Sequence, residues 1–206
     1  MIDYGLVNSF NDLQLLSPCR IGFLGGSFNP IHSGHIALLE HALKNYTDYV
    51  VLCPHSLHPD KKNILAPIEH RINMFMILKE HSLFSNRMFA LEPSFIEGTH
   101  KKEFVDLCKS LQAIGSHPSI LCGIDCFSRP YYEDLCQFDH FVGIRDTLFD
   151  KVRIEGMIKG KIVFFETPFT SLSSTGIRNK LTTNMLDDLH IDLLNYIATN
   201  SLYGFN

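Results

Sequence analysis

The chain has 206 residues, 45% hydrophobic and 19% charged, with 18 basic against 22 acidic side chains and a formal net charge of −4. That composition excludes a disordered chain, and the acidic balance argues against a protein that lives on a nucleic-acid backbone. No apolar run reaches the roughly 18 residues that cross a bilayer, and residues 1–17 lack a basic start and carry Asp3 and Asp12, unlike a secretory signal.

In chain order, short apolar runs alternate with longer amphipathic stretches. Ile21–Leu24 is a buried-strand candidate, followed by a helix over Gly34–Tyr46 with Ile36, Leu39 and Leu43 at helical spacing. Tyr49–Cys53 is the next strand, and Pro67 opens a helix to Glu80 whose apolar side is Ile68, Ile72, Phe75, Met76 and Leu78. Then come a strand at Met88–Leu91, a helix at Glu103–Ile114 and a strand at Ser119–Cys122. Strands at Phe138–Ile144 and Lys161–Phe165 precede helices at Thr175–Leu181 and Asp187–Thr199. Strands alternating with helices predict a parallel sheet covered on both faces, a Rossmann-like doubly wound α/β fold. No linker or repeat interrupts the run, so one domain is expected over residues 19–206, with an N-terminal extension over 1–18.

Six cysteines (Cys19, Cys53, Cys108, Cys122, Cys126, Cys136) show no C-x-x-C spacing. Cys122, Cys126 and Cys136 are candidate metal ligands, but the residues between them read as a strand end and a loop. Free thiols in a reducing, cytoplasmic setting are expected, with no protein-held metal. Eleven histidines and the absence of tryptophan also mark the composition.

Ligands of such sheets sit beyond the carboxyl ends of the strands. After the first strand the chain reads Gly25-Gly26-Ser27-Phe28-Asn29-Pro30-Ile31-His32-Ser33-Gly34-His35. Glycines let backbone N–H groups approach a phosphate. Ser33 is the expected N-cap, and His32 and His35, three apart, can share a helix face. The segment reads either as an anion site or as a glycine turn with capping histidines; it is neither a Walker A loop nor G-x-G-x-x-G. Near the other end, Leu172-Ser173-Ser174-Thr175-Gly176-Ile177-Arg178 opens a helix after a strand and the Pro168 loop. Three hydroxyls, helix-end amides and a permanent charge can hold phosphate, although such clusters often only cap helices.

The first segment resembles the G-[ST]-F-[DN]-P-x-H-x-G-H signature of the nucleotidyltransferase superfamily, and the second resembles its I-S-S-T-x-I-R signature. Over about residues 20–204 the chain resembles the nicotinate/nicotinamide mononucleotide adenylyltransferases. Glu69–Met74 is similar to the family's H-R-x-x-M helix, and Gly123-Ile124-Asp125 to its G-x-D. Tyr196-Ile197 with Leu202-Tyr203 is similar to its closing tail. Two departures stand out. Pro59-Asp60-Lys61-Lys62 keeps one proline and the basic residue of a P-P-H-[KR] segment, so Lys61 or Lys62 takes that place. The tryptophan that many members carry after G-x-D is missing, and Tyr131 and Tyr132 lie at about that distance.

The resemblance implies adenylyl transfer from ATP to nicotinate or nicotinamide mononucleotide in NAD biosynthesis, with release of pyrophosphate. It implies catalytic roles for His32, His35, Lys61 and Arg178. It implies ATP contacts from Gly25, Gly26, Ser27, Phe28, Gly123, Asp125, Ser173, Ser174, Thr175, Gly176 and Ile177. Mononucleotide contacts would come from Asn29, Thr99, Tyr131 and Tyr132. Mg²⁺ would arrive with ATP. The expected partners are these two nucleotides, without nucleic acid or membrane, and with a homo-oligomer left open. Another enzyme of the superfamily, such as one acting on phosphopantetheine, and a non-catalytic nucleotide-binding module are the alternatives.

Overall fold

The computed structural model describes residues 5–55, 65–92, 95, 101–128, 130–144, 150–167, 172–181 and 189–205. Its strands are β1 (Leu6–Val7), β2 (Arg20–Gly26), β3 (Tyr49–Pro54), β4 (Met88–Leu91), β5 (His117–Gly123), β6 (Asp139–Ile144) and β7 (Ile162–Glu166). They form one sheet in the order β1-β4-β3-β2-β5-β6-β7, and every neighbouring pair is parallel. The helices are α1 (Phe10–Gln14), α2 (Ser33–Asn45), α3 (Ile68–Lys79), α4 (Lys101–Ala113), α5 (Lys151–Met157), α6 (Ser174–Leu181) and α7 (Ile191–Thr199).

The doubly wound α/β reading therefore holds. Successive strands step outward from β2 through β3 to β4, and outward the other way from β5 through β6 to β7. The order reverses between β2 and β5, which pair from Arg20 opposite His117 to Leu24 opposite Leu121. A crevice at the carboxyl ends of two such strands is where this architecture takes ligands.

Alternating side chains of the central strands feed two cores. Leu24, Leu52 and Leu121 pack with Leu39 of α2, Phe75 of α3, Ile177 of α6 and Ile197 of α7. Phe23, Val51 and Ile120 pack on the opposite face with Leu13 of α1, Cys108 and Leu111 of α4 and Ile154 of α5. Burial on both faces explains why these strands read as unbroken apolar runs. Each such side chain contributes about 1.5–3 kcal/mol.

Most expected elements lie within two residues of their observed bounds. The last helix starts at Ile191 rather than Asp187, with residues 182–188 outside the described set. β1, α1 and α5 were not anticipated. Within the expected extension over 1–18, Leu6 and Val7 of β1 pair with Ala90 and Leu91 of β4, and Leu13 is fully buried. α1 starts on a reciprocal cap in which Ser9 Oγ accepts from the Asp12 N–H and Asp12 Oδ2 accepts from the Ser9 N–H. α5 is capped by Asp150, whose Oδ1 accepts from the Arg153 N–H at 2.9 Å. No disulfide joins the six cysteines, and no helix among the described residues is long and apolar enough to cross a membrane.

His140 lies fully buried on β6, its Nδ1–H donating to the Phe138 carbonyl at 2.8 Å. Burial pushes its pKa from 6.5 down to about 4. Between those values the unfolded chain binds a proton that the folded chain does not. Its contribution is therefore complete above pH about 6.5, declines as pH falls, and is gone below about pH 4. The effect is on the order of 3 kcal/mol. Urea midpoints near neutrality and near the lower limit should differ more for the wild type than for His140→Asn, which has no proton to gain.

Candidate active site

The two signatures meet at the end of β2. Ser174 Oγ donates to the Pro30 carbonyl at 2.8 Å, and Arg178 Nη1 donates to the Asn29 carbonyl. Arg178 Nη2 also donates to Thr175 Oγ1 at 3.2 Å. These bonds dock the N-terminus of α6 on the loop that leads into α2, although about 145 residues of chain separate them.

His32, not Ser33, is the N-cap of α2, with extended backbone at φ −149° and ψ 170°. Its own N–H donates to His35 Nδ1 at 3.2 Å, and the two rings sit 3.8 Å apart between centroids. Because His35 Nδ1 accepts a backbone N–H, the proton of the neutral ring is on Nε2. His32 is 1% exposed, while His35 is partly open. One imidazole is thus an internal brace, and the other is held as a hydrogen-bond donor at a positive helix end.

Phe28 takes a left-handed backbone (φ 47°), which non-glycine residues rarely adopt. Its ring folds back over Gly26 and meets the His35 ring edge-on at 5.2 Å. A Cβ on Gly26 would lie 2.9 Å from Phe28 Cε1 and Cζ. Gly26→Ala therefore displaces the phenyl ring that meets His35. Turnover should fall on the order of tenfold to a hundredfold, at a stability cost of about 1–3 kcal/mol, measured by steady-state kinetics and urea unfolding.

Two further ties hold this loop. The His55 N–H donates to the Gly26 carbonyl at 2.9 Å, and Asn29 Oδ1 accepts from the Ala66 N–H at 2.9 Å. Both ends of the segment that carries Lys61 and Lys62 are thereby fastened beside the site. Lys61, Lys62 and Thr99 themselves lie outside the described residues. Beneath the loop, Arg71 of α3 is 1% exposed; its Nη1 donates to the Ser27 carbonyl at 2.7 Å and its Nε to the Ala66 carbonyl at 2.9 Å. Burial holds this guanidinium below its ordinary pKa.

At the neighbouring strand, Gly123 ends β5 and Asp125 lies in the 3₁₀ turn that follows (Ile124–Ser128). A Cβ on Gly123 would lie 2.7 Å from Asp125 Oδ1, so the glycine makes room for a carboxylate turned back over the strand end. Tyr131 and Tyr132 lie in the following 3₁₀ turn (Pro130–Leu135), and their side chains lie outside the described set.

The hydroxyls of the second signature have internal duties. Ser173 Oγ caps α6 by accepting from the Gly176 N–H at 3.0 Å, Ser174 makes the docking bond, and Thr175 accepts from Arg178. Ile177 is 2% exposed and belongs to the core. A Cβ on Gly25 would meet His55 Nε2 at 3.5 Å, an ordinary contact.

Two residues at the site were seen in sequence only as parts of motifs. Arg71 falls on the apolar stripe of Ile68, Ile72 and Phe75, a position where a charge signals a buried brace. Tyr203, in the turn after α7, feels the charges of both Arg71 and Arg178, and burial pushes its phenol well above the ordinary range. Its hydroxyl has no hydrogen-bond partner among the described residues. No spacing rule anticipates that contact, which depends on how the chain end folds back.

A cytidylyltransferase-like family model matches residues 23–180. A probable nicotinate-nucleotide adenylyltransferase of Lactiplantibacillus plantarum is 30% identical over 173 residues, covering 79% of this chain and 76% of that protein. One from Dictyoglomus thermophilum is 26% identical over 197 residues, covering 89% and 99%. The fold matches that of Plasmodium falciparum nicotinic acid mononucleotide adenylyltransferase complexed with NaAD, with a TM-score of 0.76 at 22% identity over 91% of this chain and 98% of that one. With both signatures joined at the β2/β5 switch point, this chain belongs to the cytidylyltransferase-like family and, within it, to the nicotinate-nucleotide adenylyltransferases.

Proposed function

We propose that the chain transfers the adenylyl group of ATP to nicotinate mononucleotide. The docking of α6 on the 29–30 loop carries this reading, because it sets imidazole, guanidinium, hydroxyls and helix-end amides around one crevice. The names of the relatives support the acid form of the acceptor.

In this reading a 5′-phosphate oxygen of the acceptor attacks the α-phosphorus of ATP in line. The bond to the bridging oxygen breaks, and its electron pair leaves with pyrophosphate. A phosphate whose second pKa is about 6 is already ionised at neutral pH and needs no general base. Catalysis therefore rests on position and charge. His35 Nε2–H donates to an oxygen of the α-phosphate as charge develops there, while His32 fixes the orientation of the His35 ring. Arg178, with Lys61 or Lys62, holds the departing phosphates. Gly25 to Phe28 shape the nucleotide seat, Asp125 accepts from ribose hydroxyls, and Thr99 with Tyr131 or Tyr132 meets the mononucleotide, a tyrosine stacking on the pyridine ring.

The stretches 25–35 and 172–178 contain no carboxylate. That donor set fits Mg²⁺ coordinated by phosphate and water oxygens rather than by a protein cage. When bound, the ion neutralises charge on the triphosphate.

The test compares kcat/KM for nicotinate mononucleotide, nicotinamide mononucleotide and phosphopantetheine at saturating ATP. The acid mononucleotide should give the highest value. A preference for the amide would overturn the acceptor assignment, and a preference for phosphopantetheine would overturn the reading.

A further inference from the structure

We propose that His81, His190 and Asp192 form a surface site for one divalent transition-metal ion of the zinc type, separate from the nucleotide crevice. His81 follows the C-terminus of α3, His190 is the N-cap of α7, and Asp192 lies in the first turn of α7. One donor atom of each lies within 4.8 Å of the other two. Asp192 Oδ2 is 2.9 Å from His81 Nε2 and 3.6 Å from His190 Nδ1. The two imidazoles face each other at 3.8 Å between centroids, tilted by 33°.

A His–Asp pair would account for one of these contacts. His190 Nδ1, which caps α7 by accepting the Asp192 N–H, faces the same carboxylate, so both imidazoles turn a nitrogen toward Asp192. Two neutral imidazoles and a carboxylate are instead a set that suits zinc, with water completing a tetrahedron. Two nitrogen donors disfavour Mg²⁺ and Ca²⁺, which prefer oxygen. Tetrahedral zinc bonds of about 2.0–2.2 Å hold donors roughly 3.3–3.6 Å apart, so the 2.9 Å pair opens slightly while the other contacts adjust. Their partial exposure leaves the side chains free to rotate, with side-chain exposures of 44% for His81, 38% for His190 and 51% for Asp192. The ion would compete for the long cap bond from the Asp192 N–H to His190 Nδ1, 3.3 Å. The negative end of α3 favours the ion, and the positive end of α7, which carries His190 and Asp192, opposes it.

Such an ion fastens α7 to α3. The pair is already joined further along by the Tyr196 hydroxyl, which bonds His70 Nδ1 at 2.8 Å and Asn73 Nδ2 at 3.0 Å. The site would be a second clasp on the helix that carries Arg71.

The experiment is calorimetric titration of the chelator-stripped, thiol-reduced protein with ZnCl₂ alone, beside the His81→Ala/His190→Ala double variant and Asp192→Asn. The wild type should bind one equivalent that the double variant lacks and that Asp192→Asn binds at least about tenfold more weakly. Zn²⁺ should raise the unfolding temperature of the wild type but not of the double variant. Adenylyl transfer should be unchanged in both variants, which keeps this result independent of the catalytic reading. Equal binding by the wild type and the double variant, or no binding by the wild type, overturns the proposal.

Discussion

His35→Ala lowers turnover by on the order of 10²–10³, a barrier increase of about 2.7–4 kcal/mol, the cost of losing one preorganised donor to developing charge. The donor is preorganised because the His32 N–H occupies His35 Nδ1 and leaves the proton on Nε2. The loss should fall on kcat more than on KM for ATP, since the bond strengthens as charge builds. A smaller loss of about 1 kcal/mol in folding stability accompanies it, because the same contact caps α2. His35→Gln keeps an N–H donor and should recover part of the turnover. Circular dichroism and urea unfolding establish that the variants are folded, and a pyrophosphate-release assay reads the rate.

Arg71→Ala should cost about 3–5 kcal/mol in stability and, in the protein that remains folded, most of the activity. The guanidinium is almost wholly buried, and its described bonds go to the backbone carbonyls of Ser27 and Ala66. Removing it strands two buried acceptors and opens a cavity, each of which costs free energy. It also releases Ser27, which lies between the strained Phe28 and the Gly26 turn. Arg71→Lys supplies one compact charge in place of a planar fork and cannot span both carbonyls. The lysine variant should therefore recover stability only in part, and its remaining defect should appear in kcat. Denaturant midpoints and single-turnover rates separate the two effects.

Much of the fold was readable in the sequence because the central strands are buried on both faces. Tyr49–Cys53 and Ser119–Cys122 are apolar runs with no competing helical period, and the strands contain them. β1 was not readable, since two residues carry no period; only pairing with Ala90 and Leu91 makes Leu6–Val7 a strand. α5 buries Ile154 alone and offers no stripe. α1 carries a cap signal in Ser9 and Asp12, but its five residues are too short to show a helical period. At the site, sequence pointed to the two signatures but not to their mutual docking, which runs through backbone carbonyls that no side-chain pattern encodes. The same reason hid the division of labour between the histidines. Both fit one motif, yet His32 is buried and His35 is partly open. Of eleven histidines, His140 is a neutral core residue, His70 ties α3 to α7, and His81 with His190 forms the surface cluster.

The most direct test of adenylyl transfer follows ATP, Mg²⁺ and nicotinate mononucleotide with the protein by phosphorus NMR. The account predicts that the α-phosphate signal moves to that of a dinucleotide diphosphate while one pyrophosphate appears per dinucleotide, and that His35→Ala slows both together. ATP that binds but yields neither product, or pyrophosphate released without dinucleotide, would contradict it.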